Sequence, residues 1–167
     1  MITDNILISF ETLHYMKSKR QGNTAHMVLK LDMSKAYDRV EYDYLKALML
    51  KMGFHPKWVD MIMAGVTLVS YSVLLNGAPS SFIKPFRGIR QGDPLSPYLF
   101  LLCTEGISTL LRNAAHHRDL HGVCCSQNGP SITHLLFVDD ILLFFNASLS
   151  ECHIIKEIFH VYELASG

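Results

Sequence analysis

The chain has 167 residues, enough for one domain of ordinary size or a piece of a larger one. Its 49% hydrophobic residues can supply a core, and its 18% charged residues are too few for a disordered tail. Fifteen basic and fifteen acidic side chains balance to zero, which removes any global electrostatic case for a nucleic-acid partner and leaves that case to local sites.

In chain order, Ile6, Leu7, Phe10, Leu13 and Met16 have helical spacing and predict a helix over 4–20. Asp4 can cap it, and Lys17, Lys19 and Arg20 suit its negative end. QGNT, 21–24, reads as a turn. HMVLKLDM, 26–33, then reads as a strand with Val28 and Lys30 on one face, Leu29 and Leu31 on the other, and Asp32 at its end on the Val28 face. A helix over 42–52 stops at Gly53, and another over 57–69 carries the single Trp, Trp58. YSVLLN and SFIKPF flank Asn76-Gly77-Ala78-Pro79 as a hairpin.

GIRQGDPLSP follows as a Gly- and Pro-built loop, then a long apolar helix over 97–115 and irregular chain over 118–131. THLLFVDDILLFF, 133–145, reads as strand, Asp139-Asp140 turn, strand. Ser148 and Glu151 have capping-box spacing ahead of a helix that runs to about Leu164. The order lacks the regular alternation of a parallel sheet, so the expected fold is α+β, an antiparallel sheet with helices packed on one face. No repeat or linker marks a second domain. The abrupt helical opening and the ending at Ala165-Ser166-Gly167 read as a fragment.

Cys103, Cys124, Cys125 and Cys152 lack CxxC spacing and any His pair at zinc-finger spacing, as expected of reduced thiols in an intracellular protein. His116-His117 reads as a solvated helix end. Asp4 and Asn5 stand where a signal peptide needs positive charge, and no apolar run reaches membrane-spanning length, so no membrane partner is expected.

The chemistry concentrates in Asp139 and Asp140, set inside an apolar run. A buried carboxylate costs several kcal/mol, roughly, unless it is paired, hydrogen-bonded or bound to a metal. Adjacent residues in a tight turn cannot both enter the core, so at least one faces an edge or cleft. With Asp32 from another strand end they would form an oxygen-rich, negative pocket suited to hard cations such as Mg²⁺. Two such ions about 3.5–4 Å apart would serve phosphoryl transfer. Strand-end and turn aspartates are also common without function, so these residues by themselves leave both readings open.

The surrounding text is more specific. LKLDMSKAYDRVEYDYL, GIRQGDPLSPYLFLLCTEGIS and LLFVDDILLF resemble, in that order, motifs A, B and C of reverse transcriptases, those of the non-LTR (LINE-type) retrotransposon branch in particular. ITDNILISFETLHYMK is similar to the fingers segment that precedes motif A in plant elements of this kind. The resemblance implies a right-hand polymerase palm, with 1–25 a fingers segment and 26–167 the palm. On that resemblance motif D, the primer-gripping region, the thumb and an endonuclease domain are expected to lie outside this chain.

By that likeness Asp32 and Asp139 ligate two Mg²⁺ ions, for which Mn²⁺ could substitute, and Asp140 is a weaker or peripheral ligand. Phe137 takes the place of the Tyr of many relatives, and Val138 that of Ala or Met. Tyr37 falls at the aromatic gate that excludes a 2′-OH; without the resemblance it would read as a core aromatic. The main chain of Met33, Ser34, Lys35 and Ala36 would lie beside the triphosphate, its N–H groups suited to phosphate. Lys35 and Asp38 match the family's pattern, with a structural ion pair an equal reading. In motif B, Gly88, Gly92 and Pro94 let the backbone approach the nascent base pair, Gln91 contacts nucleotide and template, and Arg90 can reach a phosphate. Leu99, Phe100, Leu101 and Leu102 are expected in the core.

The implied activity is RNA-directed DNA synthesis, with an RNA template, a DNA primer and dNTP as partners and the nucleus as compartment. It is expected of the intact element; the isolated piece need not be active or stable. Three alternatives stand beside it. An RNA-dependent RNA polymerase should have a Gly-Asp-Asp turn where this chain has FVDD. A group II intron maturase shares the palm and differs in its C-terminal domain. A non-catalytic remnant would serve as a structural or interaction module. The sequence says nothing of oligomeric state.

Overall fold

The computed structural model describes residues 2–18, 25–126 and 129–167. The elements run α1 (Ile2–Ser18), β1 (His26–Asp32), α2 (Tyr42–Lys51), α3 (Pro56–Thr67), β2 (Leu74–Leu75), β3 (Ala78–Pro79), α4 (Ser96–His116), β4 (Val123–Cys124), β5 (Ser131–Ile132), β6 (His134–Phe137), β7 (Asp140–Asn146) and α5 (Leu149–Ser166). This is the expected α+β class, and every helix and long strand read from periodicity is present. Asp4 sits within the first turn of α1 rather than as its cap. The QGNT turn, with Lys19 and Arg20, lies outside the described residues. The chain divides into two units, Met1–Ser34 with Ile107–Tyr162, and Lys35–Gly106 with Glu163–Gly167.

In the first unit an antiparallel sheet has the order β1-β7-β6. The apolar run of β7 has a simple cause: it is the central strand. Ile141, Leu143 and Phe145 point to one face and are fully buried with Ile107, Leu111, Leu120 and Ile155. Leu29 and Leu31 of β1 pack against the same cluster from their paired positions. Each such side chain contributes about 1.5–3 kcal/mol on burial, enough to fix the register against a one-residue slip. Phe144, on the other face, is buried as well. α1 lies against β6, where Asn5 Nδ2 donates to the Leu136 carbonyl at 3.0 Å.

Two features of this unit depart from the sequence reading. The segment expected to be irregular over 118–131 contains the β4–β5 hairpin, whose two-residue strands are too short to show alternation. Glu151 is not a reciprocal capping residue. Ser148 Oγ does accept from the Glu151 N–H (3.3 Å), but the Glu151 carboxylate is buried and turns to other donors. It accepts from the N–H of Asn146 (3.0 Å) and of His121 (3.2 Å) and pairs with His121 Nδ1 (3.0 Å).

In the second unit, α2 packs on α3 through buried Leu45, Met49, Val59 and Ile62. Gly53 takes φ +88 just past α2, as a helix stop requires. The hairpin turn is Asn76-Gly77 alone, with φ of 51 and 85, so Ala78 and Pro79 begin the return strand. Leu99 and Phe100 are buried as expected, whereas Leu101 is 57% exposed, because one side of α4 faces outward there.

The β6–β7 connection is a two-residue turn, Val138-Asp139, between the paired Phe137 and Asp140. Val138 has φ 53, a conformation that costs an L residue about 1–2 kcal/mol and is most unusual for a branched side chain. Val138→Gly is therefore expected to stabilise the chain by about 0.5–1 kcal/mol after the glycine's added unfolded-state entropy. The urea midpoint reads this directly, and a lower midpoint would refute the strain. Glu151→Ala is expected to destabilise by about 1–3 kcal/mol, because two backbone N–H groups lose their acceptor. An unchanged midpoint would show that water replaces it.

Candidate active site

The register of β1 on β7 sets the geometry of the acidic residues. Asp32, last in β1, is the direct cross-strand partner of Asp140, first in β7. Opposed residues of an antiparallel pair project to the same face, here the one away from Ile141 and Leu143. Asp139 occupies the second turn position, and its carbonyl accepts from the Met33 N–H at 2.8 Å. The β1–β7 pairing thus continues one step past the strand ends. The tip of the hairpin is Val138-Asp139, not Asp139-Asp140 as read from sequence. Asp32 and Asp139 are exposed, and Asp140 is half-buried.

Lys30 lies on the same face two residues before Asp32, opposite Leu142 and diagonal to Asp140. Its Nζ is 2.8 Å from Asp140 Oδ2. That hydrogen-bonded pairing raises the Lys30 pKa above the usual lysine value, with smaller contributions from the Asp32 and Asp139 charges. Sequence reading placed Lys30 on this face but gave it no role; the signal was its i, i+2 spacing from Asp32.

Among the described residues no group of three or more His, Cys, Asp or Glu side chains could hold a metal ion as it stands. The donor chemistry nevertheless fits a hard divalent cation. Two carboxylates at paired strand ends and one in the adjoining turn offer only oxygen, with two of the three open to solvent. Of the three, Asp140 is engaged by Lys30.

The remaining expected residues divide between the units. Met33 and Ser34 belong to the first, and Lys35, Ala36, Tyr37, Arg90, Gln91 and Gly92 to the second. The Met33 N–H is taken by Asp139, so a triphosphate contact through this main chain would rest on Ser34, Lys35 and Ala36. Lys35 has φ 55, and its carbonyl accepts from the Asp38 and Arg39 N–H groups, closing a tight turn. Tyr37 is half-buried and stacks on the buried Phe100, with ring centroids 5.0 Å apart and planes 16° from parallel.

Motif B runs beside that turn. The Ile89 N–H donates to the Tyr37 carbonyl and the Gly88 N–H to the Val40 carbonyl, both at 2.8 Å. Gly88 has φ +91, and a Cβ there would stand 2.9 Å from the Asp38 carbonyl oxygen. Only glycine allows this approach. Gln91 Nε2 donates to Asp38 Oδ1 in a long contact of 3.5 Å, and Arg90, Gln91 and Gly92 are all exposed.

Arg90 also lines a cleft of about 280 Å³ with Asp38, Arg87, Asp93 and Tyr42. Sequence reading passed over Tyr42. Its phenol oxygen is buried with no hydrogen-bond partner among the described residues, and burial, with a smaller effect of Tyr71, raises its pKa.

A family model described as "Reverse transcriptase (RNA-dependent DNA polymerase)" matches residues 3–163. The uncharacterized mitochondrial protein AtMg01250 of Arabidopsis thaliana is 57% identical over 67 residues, covering 40% of this chain and 55% of that protein. The retrovirus-related Pol polyprotein from a type-1 retrotransposable element R2 of Popillia japonica is 30% identical over 130 residues, 78% of this chain and 20% of its own length. The transposon TX1 uncharacterized 149 kDa protein of Xenopus laevis is 28% identical over 166 residues, 99% of this chain and 12% of its own. The match therefore spans about half of the first relative and a fifth or less of the other two.

Among solved structures, apo telomerase from Candida tropicalis, truncated from its C-terminal domain, superposes with a TM-score of 0.64 at 17% identity, covering 94% of this chain and 31% of that one. Identity that low speaks for the fold, which is consistent with the right-hand palm. Matched along 3–163 and related to LINE-type retrotransposon Pol proteins, the chain belongs to the reverse transcriptase family.

Proposed function

We propose that the chain is the palm segment of a retrotransposon RNA-directed DNA polymerase, which joins a deoxynucleotide to a primer 3′-OH on an RNA template. The observation that supports it most is the register that opposes Asp32 to Asp140 and ties Met33 to Asp139, gathering the acidic residues of motifs A and C at one end of one sheet. No helix among the described residues is long and apolar enough to cross a membrane. The compartment we propose, on family grounds, is the nucleus.

In this reading Asp32 and Asp139 hold the divalent ions, and Asp140 contributes peripherally. A bound Mg²⁺ pair would supply activation of the attacking 3′-oxygen and charge neutralisation of the departing pyrophosphate. The chain's own contribution is to keep the carboxylates fixed before the substrate arrives. Asp32 sits at the end of a paired strand, and the Asp139 backbone is tied to Met33, so neither backbone has to be ordered on binding. Tyr37, steadied by Phe100, is proposed as the ring that excludes a ribose 2′-OH. Gln91 and Arg90 are proposed to meet nucleotide and template.

Primer extension on an RNA template, by the intact polypeptide that carries this chain, tests the reading. Asp139→Ala is expected to reduce Mg²⁺-dependent synthesis by at least about 10²-fold; synthesis that survives would overturn the assignment of Asp139. Tyr37→Val is expected to leave deoxynucleotide addition measurable and to raise the relative use of ribonucleotides about tenfold or more. An unchanged preference would return Tyr37 to the core.

A further inference from the structure

We propose that Lys30 is a positioning residue that holds Asp140 out of the metal-ligand set, leaving Asp32 and Asp139 as the primary cation-binding pair. The inference rests on the metal reading above and adds to it a competing internal cation. Lys30 reaches Asp140 diagonally across the β1–β7 pair, Nζ to Oδ2 at 2.8 Å, on the face that also carries Asp32. No other lysine or arginine of β1 or β7 shares that face.

An exposed ion pair usually contributes little, and Lys46 Nζ to Asp60 Oδ1, at 3.1 Å between two helices, is an ordinary example. Lys30 differs in its setting. Asp140 is the half-buried member of the three carboxylates, and the ammonium paired with it stands on the sheet face that also carries Asp32. The side chain of Lys30 is 61% exposed, so it is free to swing away. Pairing with Lys30 satisfies Asp140 when the site is empty and limits repulsion from its cross-strand partner Asp32. It also means that a cation entering the site meets a tethered positive charge. The asymmetry between the two adjacent aspartates of motif C then has a physical cause: Asp139 is exposed in the turn, whereas Asp140 is half-buried and hydrogen-bonded to the Lys30 ammonium.

Mn²⁺ affinity, read by the loss of the free-ion paramagnetic resonance signal during titration, tests this without reference to activity. Lys30→Met is expected to bind Mn²⁺ roughly three- to tenfold more tightly than the natural chain, the scale of one unit charge removed a few ångströms from a divalent ion in a wet site. Lys30→Gln should behave alike. Lys30→Arg, which keeps the charge, and Lys46→Met, which removes an unrelated ion pair, should stay near the natural value. In an Asp140→Asn background the gain from Lys30→Met should largely vanish. Unchanged or weaker binding in Lys30→Met overturns the proposal, as does a full gain in the Asp140→Asn background. If the natural chain binds Mn²⁺ and Asp139→Ala abolishes it, such a result refutes the role of Lys30 alone. Absence of any Asp139-dependent binding refutes the metal reading and this inference with it.

Discussion

The antiparallel pairing of β1 with β7 is the constraint on which the site depends. The register that opposes Leu29 to Leu143 and Leu31 to Ile141 is the one that opposes Asp32 to Asp140, since both sets alternate along the same two strands. A slip by one residue would turn Ile141 and Leu143 out of the core and draw Asp140 toward it. Hydrophobic burial on one face therefore selects the acidic geometry on the other, and no attraction among the aspartates is needed. Their mutual repulsion is a small opposing term against several fully buried side chains.

The first unit handles its carboxylates in a graded way that follows their burial. Asp32 and Asp139 face solvent, where water screens them. Asp140 is half-buried and takes one ammonium, from Lys30. Glu151 is buried and takes two backbone N–H groups and an imidazole nitrogen, which tie the chain at His121 to the end of β7. The more water a carboxylate loses, the more donors stand around it. On that scale Asp32 and Asp139 are the members left open to solvent. Glu151, the most fully satisfied, is a structural fastening.

Much of this was legible in the sequence, and the reasons are local. Leu29 and Leu31 alternating with Val28 and Lys30 marked a two-faced strand and put Asp32 on the correct face. Asn76-Gly77 announced its turn, and Gly53 its helix stop. What escaped reading depended on tertiary partners. The spacing of Ser148 and Glu151 suggested a cap, but the Glu carboxylate was drawn to the N–H groups of His121, ahead of β4, and of Asn146, at the end of β7. The turn at 138–139 was misplaced by one residue, because an Asp-Asp pair looks like a turn whereas Val138 at φ 53 does not. Lys30 was invisible as a partner because its relation to Asp140 spans 110 residues of chain and exists only through the strand register.

The residues of motif A separate between two units, and that division carries a mechanistic consequence. Asp32 owes its position to the sheet of the first unit, whereas Tyr37 owes its own to Phe100 and to the Ile89 N–H bonded to its carbonyl in the second. Between them stand Met33, whose N–H is committed to Asp139, and Lys35, which takes a left-handed conformation where the chain turns. The proposed cation-binding residue and the proposed sugar gate thus take their support from different elements. Under the proposed function, substitutions at Asp32 and at Tyr37 should therefore act on different observables, ion affinity for the one and nucleotide preference for the other.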